Sequence, residues 1–470
     1  RMTIMKTLPK VNHYIAKNDD LWPADQVLVS YTRRVEHFSI WHFLTHQPTL
    51  PRLYWAGQGD AMQIAGLGWA TTIKASGLER FWHIEERTKT LLNKIILLDH
   101  DLPDEIRPRF FGGFSFWDQV DGQRWQGFPA AWFGLPHYQI IQLEGQSWLT
   151  VNVFAHQEEA EELARHESQH IEDWNQLGSE RPCDDDTGFV SPTVDFEADM
   201  EKYQWDAIIN GALSHMQTGH LDKVVLARTA HLIGTSSPDF ANVMQYLTAN
   251  YPDCTKFLIE PERSRVFFGA TPETLIDVSA GSFTTAALAG SNNRGATPAE
   301  DADLGAALLA SAKDRHEHQL VVDMMLDKLT PITSQLTVAN TPSLRRLKNI
   351  QHLETPMNGI LSHGTTAIAL LERLHPTPAL GGIPRQSALA YIREVEPFER
   401  GWYAAPVGWV DAAGDGVFAV AIRSGLNCSV DTYLFAGAGI VSDSEPEKEW
   451  GETDLKFKPL LDALGVELDD

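Results

Sequence analysis

The sequence predicts an α+β fold in which large antiparallel β-sheets form the core and helices lie outside. Three observations carry this. Strand-rich blocks and helices alternate irregularly, without the βαβ rhythm of a doubly wound sheet. The stretch GWYAAPVGWVDAAGDGVFAVAIRSGLNC reads as a hairpin turning around Ala412 to Gly416, with the Gly and Asp signal expected between antiparallel strands. Finally, 470 residues with 43% hydrophobic content are ample for a large core.

In chain order, residues 1–195 form a strand-rich N-terminal region integrated in the same fold. Its stretches FFGGFSFWD and YQIIQLEGQSWLTVNVFA alternate apolar and polar residues between tight turns. Residues 157–180 read as an acidic helix with a modest apolar side. The Pro, Asp and Gly cluster RPCDDDTGFVSP (181–192) reads as a linker or long surface loop. Residues 196–470 form the second region, where the chemistry concentrates. There DKVVLARTAHLI and RVFFGATPETLIDVS look like strands, and ALLASAKDRHEHQLVVDMMLDKL looks like one long helix.

A formal charge of −25 argues against nucleic acid or an anionic membrane as partner. No run of 18 or more apolar residues is present and the N-terminus has no apolar signal core, so a cytoplasmic protein is expected. Cys183, Cys254 and Cys428 are scattered and odd in number, which fits reduced thiols.

Two glutamate-bearing segments, SAKDRHEH (Ser311 to His318) and AGAGIVSDSEPEKEWGETDLK (Ala436 to Lys456), look like halves of one divalent-metal site. Glu449 and Glu452 are three apart and Lys456 follows four later, so all three share a helical face. His316 and His318 point to different sides of their helix, while Val321, Val322, Met325 and Leu326 anchor it and leave Glu317 at the edge. Carboxylates converging from separate elements suit Mg²⁺, which takes oxygen ligands and completes its shell with water and substrate.

Lys223 stands at the mouth of an apolar strand. Burial there disfavours an ammonium, the condition that makes a lysine a base. Glu273 in ATPETL sits on a turn, where burial would keep a carboxyl protonated as a proton donor. Arg423 in AVAIRSG, read as part of an apolar strand, suits bidentate binding of a carboxylate or phosphate, with Tyr403 on the partner strand of the hairpin. AGAGI, following a strand, could present backbone N–H groups to an anion. HESQH (His166, Glu167, His170) matches the zinc-hydrolase pattern HExxH, but its neighbours Glu158, Glu159, Glu161, Glu162 and Arg165 describe a solvated helix with a fortuitous match.

In this order, the segments resemble the chorismate-utilising enzymes: isochorismate synthases, salicylate synthases and the large subunits of anthranilate and aminodeoxychorismate synthases. The resemblance is densest from DKVVLAR to SDSEPEKEWGETDLK and weaker before residue 200, where FGGFSF carries it. It implies the fold shared with anthranilate synthase component I. Ammonia-using members carry glutamine where this chain has Lys223, so water is the implied nucleophile. Ala289 stands where the aminodeoxychorismate type has a nucleophilic lysine. Ala379 in HPTPALGGIP stands where ammonia-using and salicylate-forming relatives tend to have threonine.

The resemblance therefore implies an isochorismate synthase, an isomerase, most like the menaquinone-pathway type rather than the shorter siderophore type. A salicylate synthase is the alternative within the family, and a zinc hydrolase a distant one outside it. By resemblance, Lys223 is the base and Glu273 the acid. Glu317 and Glu452 bind Mg²⁺, with Glu449 close by through a water. Tyr403, Arg423, Gly437, Gly439, Lys456 and Ala379 contact chorismate. The expected molecule is a monomer or weak dimer.

Overall fold

The computed structural model describes residues 26–36, 38–45, 49–99, 101–179, 195–347 and 350–466. The expected linker at 181–192 and Cys183 lie outside them; Cys254 and Cys428 are free thiols. Twenty-one strands join in one hydrogen-bonded sheet, and among the described residues every pairing is antiparallel except Val27–Val35 with Ile96–Leu97. The antiparallel core with outer helices is thus the architecture found.

The strand Ala131–Leu143 is a branch point. It pairs along its length with Met62–Ala75, in its first part also with Phe110–Phe114, and in its later part with Gln146–Ala155. Glu144 and Gly145 make the turn into that last strand, both with positive φ, as a tight hairpin of this twist requires. One arm runs from Met62–Ala75 through Arg52–Ala56, Thr255–Glu262, Arg265–Thr271, Ser424–Cys428 and Asp431–Ile440 to Lys223–Ile233. The other runs from Phe110–Phe114 through Pro406–Val410, Gly416–Val420, Thr274–Ser279 and Ser282–Asn293 to Ile350–Leu361. Strands before residue 155 therefore pair directly with strands after residue 255.

The chain passes between the arms twice at neighbouring places. Pro272 and Glu273 link Arg265–Thr271 to Thr274–Ser279, so the single strand expected over RVFFGATPETLIDVS is two. Proline lacks the N–H that a continuous ladder would need there. Ala421, Ile422 and Arg423 carry the chain back from Gly416–Val420 to Ser424–Cys428. The two passages brace each other: the Val420 N–H donates to Glu273 O at 3.0 Å, and the Ala270 N–H donates to Arg423 O at 3.1 Å.

The hairpin around Ala412 to Gly416 forms as expected from Pro406–Val410 and Gly416–Val420. The long helix expected over residues 307–329 does not. It is two helices, Pro298–Ala310 and Ala312–Leu329, broken at Ser311, whose extended backbone lets its hydroxyl accept from the Asp314 N–H. Serine favours this capping position, and apolar periodicity across the break hid it.

Candidate active site

Helix Ala312–Leu329 is pinned to the second arm by His318, buried between Ala289 O (3.2 Å) and the Thr355 hydroxyl (2.7 Å). Val321, Val322 and Met325 are buried behind it. This anchoring leaves Glu317 facing Lys223, whose buried ammonium donates to Glu317 Oε1 at 2.5 Å. The sequence showed the apolar strand that buries Lys223 but gave no sign of this carboxylate partner, 94 residues away.

Helix Pro446–Leu464 carries Glu449, Glu452 and Lys456. Lys456 Nζ donates to Glu452 Oε1 at 2.5 Å and to Gly437 O at 2.7 Å. Burial works against the Glu452 carboxylate, but the cations Lys456, which also hydrogen-bonds it, and Arg423 outweigh it and hold its pKa below the usual value. Burial, with Glu452 close by, raises the Glu449 pKa.

Glu273 is pushed up to about 7 by burial, against the pull of Lys223, Arg345 and Lys456. Burial also lowers the Arg423 pKa. Arg423 lies on the return passage with φ +50°, not within a strand as expected, because the chain changes arms at that residue. Tyr403 likewise lies in the turn before its strand, which begins only at Pro406. In that turn Gly401 has φ +53°, and a Cβ there would lie 2.0 Å from the Trp125 ring. Burial raises the Tyr403 pKa.

Gly437 and Gly439 belong to the strand Asp431–Ile440 instead of following one. Their register partners Ala227 and Val225 direct their N–H groups elsewhere, to Glu396 Oε1 and Gly381 O. In an antiparallel ladder the two glycines therefore turn their own N–H and C=O groups away from that strand. A Cβ at Gly439 would lie 3.3 Å from Lys223 Cε and 3.9 Å from Glu317 Oε1; one at Gly437 would lie 2.8 Å from the Tyr403 hydroxyl.

One cavity of about 220 Å³ gathers these groups. Lys223, Glu273, Glu317, Ala379, Arg423, Gly439, Glu449, Glu452 and Lys456 line it; Gly437 and Tyr403 stand behind the wall. Arg345 and His352 also line it and were not foreseen. Arg345 donates to Glu354 (3.0 Å) and Gln58 (2.8 Å). His352 is held neutral, its pKa lowered to about 3 by burial and by Lys456 and Arg423. Their strands, Ser343–Arg346 and Ile350–Leu361, give no apolar run around them that marks a site.

The donor set of Glu317, Glu449 and Glu452 is all oxygen, which suits a hard divalent cation. Glu317 and Glu452 are each already matched with a lysine ammonium, so both sit where positive charge is needed. No cluster of three or more His, Cys, Asp or Glu side chains among the described residues is gathered tightly enough to hold a metal alone. Two carboxylates with water and substrate oxygens remain a suitable set.

The zinc reading of HESQH fails. His166 is exposed, whereas Glu167 is buried with Oε2 2.7 Å from His137 Nε2, so the supposed base is engaged in the core while the supposed ligand His166 faces solvent. No helix among the described residues is long and apolar enough to cross a membrane.

The chain belongs to a known class of proteins: the family described as chorismate binding enzyme matches residues 16–465. The chain is 38% identical to the salicylate biosynthesis isochorismate synthase of Pseudomonas aeruginosa, over 88% of this chain and 85% of that one. It is 34% identical to isochorismate synthase MenF of Bacillus subtilis, over 99% of both. Among solved structures, MenF, the menaquinone-specific isochorismate synthase of Escherichia coli, matches with TM-score 0.76 at 24% identity, covering 94% of this chain and 97% of that one. Anthranilate synthase component I of Streptococcus pneumoniae shares the fold, with TM-score 0.66 at 19% identity, covering 97% of this chain and 95% of that one. Membership is consistent with a metal requirement.

Proposed function

We propose that this protein is an isochorismate synthase, which adds water at C2 of chorismate with loss of the C4 hydroxyl. The observation that carries the reading is that Lys223, on the last strand of one arm, and Glu273, on the passage between the arms, line the same cavity. Lys223, acting as the neutral amine, removes a proton from the attacking water. Glu273, protonated up to about pH 7, gives a proton to the departing hydroxyl, which leaves as water. One water enters and one departs, so substrate and product are isomers.

Arg423, with the backbone at Gly439, holds the enolpyruvyl carboxylate, and Tyr403 and Gly437, which do not line the cavity, support that wall from behind. Lys456 adds positive charge at the other end, and Ala379 leaves room beside the ring. Glu317 and Glu452, with Glu449 nearby, would hold Mg²⁺. When bound, that ion neutralises the carboxylates and supplies a site for the ring carboxylate of the substrate. Fixing both carboxylates converts a bimolecular attack into an oriented one. The reading also makes the protein a cytoplasmic monomer or weak dimer, which size-exclusion chromatography tests.

Incubating purified protein with chorismate and Mg²⁺ and separating products by HPLC tests the reaction. Isochorismate is the expected product. Salicylate in its place transfers the protein to the salicylate synthases, and unchanged chorismate overturns the reading.

A further inference from the structure

The middle of the strand Lys223–Ile233 has an unusual edge. On one side it pairs fully with Asp431–Ile440. On the other, Gly382–Ile383 covers only Lys223 and Val224, and Asp195–Ala198 covers only residues from Ala230 onward. The gap is filled by two charged side chains. Glu396 Oε1 accepts from the Ala227 N–H at 2.9 Å, and Arg400 Nη2 donates to Val225 O at 2.7 Å. Glu396 and Arg400 bind each other bidentately, at 2.5 and 2.8 Å, with side chains only 3% and 1% exposed.

The same guanidinium reaches further. Its Nη1 donates to Leu380 O at 3.0 Å, next to Ala379. The Arg400 backbone carbonyl accepts from the Tyr403 N–H at 2.9 Å. Ala227, held by Glu396, is the register partner of Gly437. One ion pair thus touches the base strand, the Ala379 segment and the Tyr403 turn, and neither member lines the cavity. Stability alone does not call for such a pair, since a buried ion pair can often be replaced by apolar groups of similar volume without loss.

We infer that Glu396 and Arg400 are the positioning pair of this active site, fixing Lys223, Ala379 and Tyr403 in one frame. The inference rests on the proposed isochorismate synthase reading for its kinetic arm only. The pair acts through the backbone it holds, touching no substrate atom.

The test compares the wild type with Glu396→Gln, Arg400→Lys and the apolar double variant Glu396→Leu/Arg400→Met, each checked by circular dichroism and melting. In folded variants, kcat falls on the order of 10²-fold while the KM for chorismate stays within about threefold, because the base is displaced whereas Arg423, which binds the carboxylate directly, makes no hydrogen bond to the pair. Hydrogen–deuterium exchange rises in peptides covering 223–228 and 377–384 and stays unchanged over 312–329. Folded variants with wild-type kcat, or with unchanged exchange in the first two segments, overturn the inference. If the single variants do not fold, the double variant decides. If the wild type makes no isochorismate, the functional reading fails, and the exchange pattern still decides whether the pair positions these segments.

Discussion

Lys223 and Glu273 carry opposite problems of solvation. The lysine is buried beside a carboxylate, and the glutamate is buried facing cations that do not fully offset its desolvation. Lys223→Gln keeps the size and loses the base, so kcat should drop on the order of 10³-fold with the melting curve retained. Because Glu273 must be protonated to act as acid, kcat/KM should decline as pH rises through about 7, and Glu273→Gln should abolish turnover. The stability sign follows from the same shift. A carboxyl raised from 4.5 to about 7 holds its proton longer in the fold, so its contribution is complete below about 4.5 and lost as pH rises through about 7. Melting from pH 5 to 8 should show a smaller decline for Glu273→Gln than for the wild type. The sequence singled out both residues, Lys223 by its apolar strand and Glu273 by its turn, and the resemblance supplied their proposed roles. Arg345 and His352 were not singled out, because only tertiary folding brings their polar strands to the cavity.

Single elements are positioned by a few side chains that reach across to them. Helix Pro446–Leu464 is held by Arg228, 2% exposed, whose guanidinium lies 3.7 Å over the Trp450 ring and donates to the Thr453 hydroxyl at 2.6 Å and to Asp454. Arg228→Met should cost about 1.5–3 kcal/mol in urea unfolding, the range for a hydrogen bond to a charged group. It should also weaken Mg²⁺ binding in calorimetry by tilting Glu449 and Glu452. Gly437→Ala brings a methyl to 2.8 Å from the Tyr403 hydroxyl, an overpacking that should cost about 1–3 kcal/mol and lower kcat/KM. Element types were largely readable from periodicity, as with the strand from Lys223 and the hairpin at Ala412. Breaks were less so. The interruptions at Ser311 and Pro272 depend on local backbone chemistry that an apolar pattern runs straight across.

Across the whole molecule, a net charge of −25 surrounds a cavity proposed to take a dianion. EDTA treatment should therefore abolish turnover while leaving circular dichroism unchanged, and added Mg²⁺ should restore it. Antiparallel architecture was legible in the strand-rich blocks and the hairpin. The branching at Ala131–Leu143 was not, because it depends on which strands meet, and nothing local encodes that choice. The branch also ties early and late parts of the chain together. Leu53 lies opposite Ile259, and Gly112 opposite Gly408. A protein started at residue 196 would expose both late edges to self-association. For a lineage that shuffles genes, a crossover near residue 195 is thus no neutral seam. Chimaeras between relatives should survive only when both parents agree on how those strands align, so the two regions should be exchangeable only as a pair.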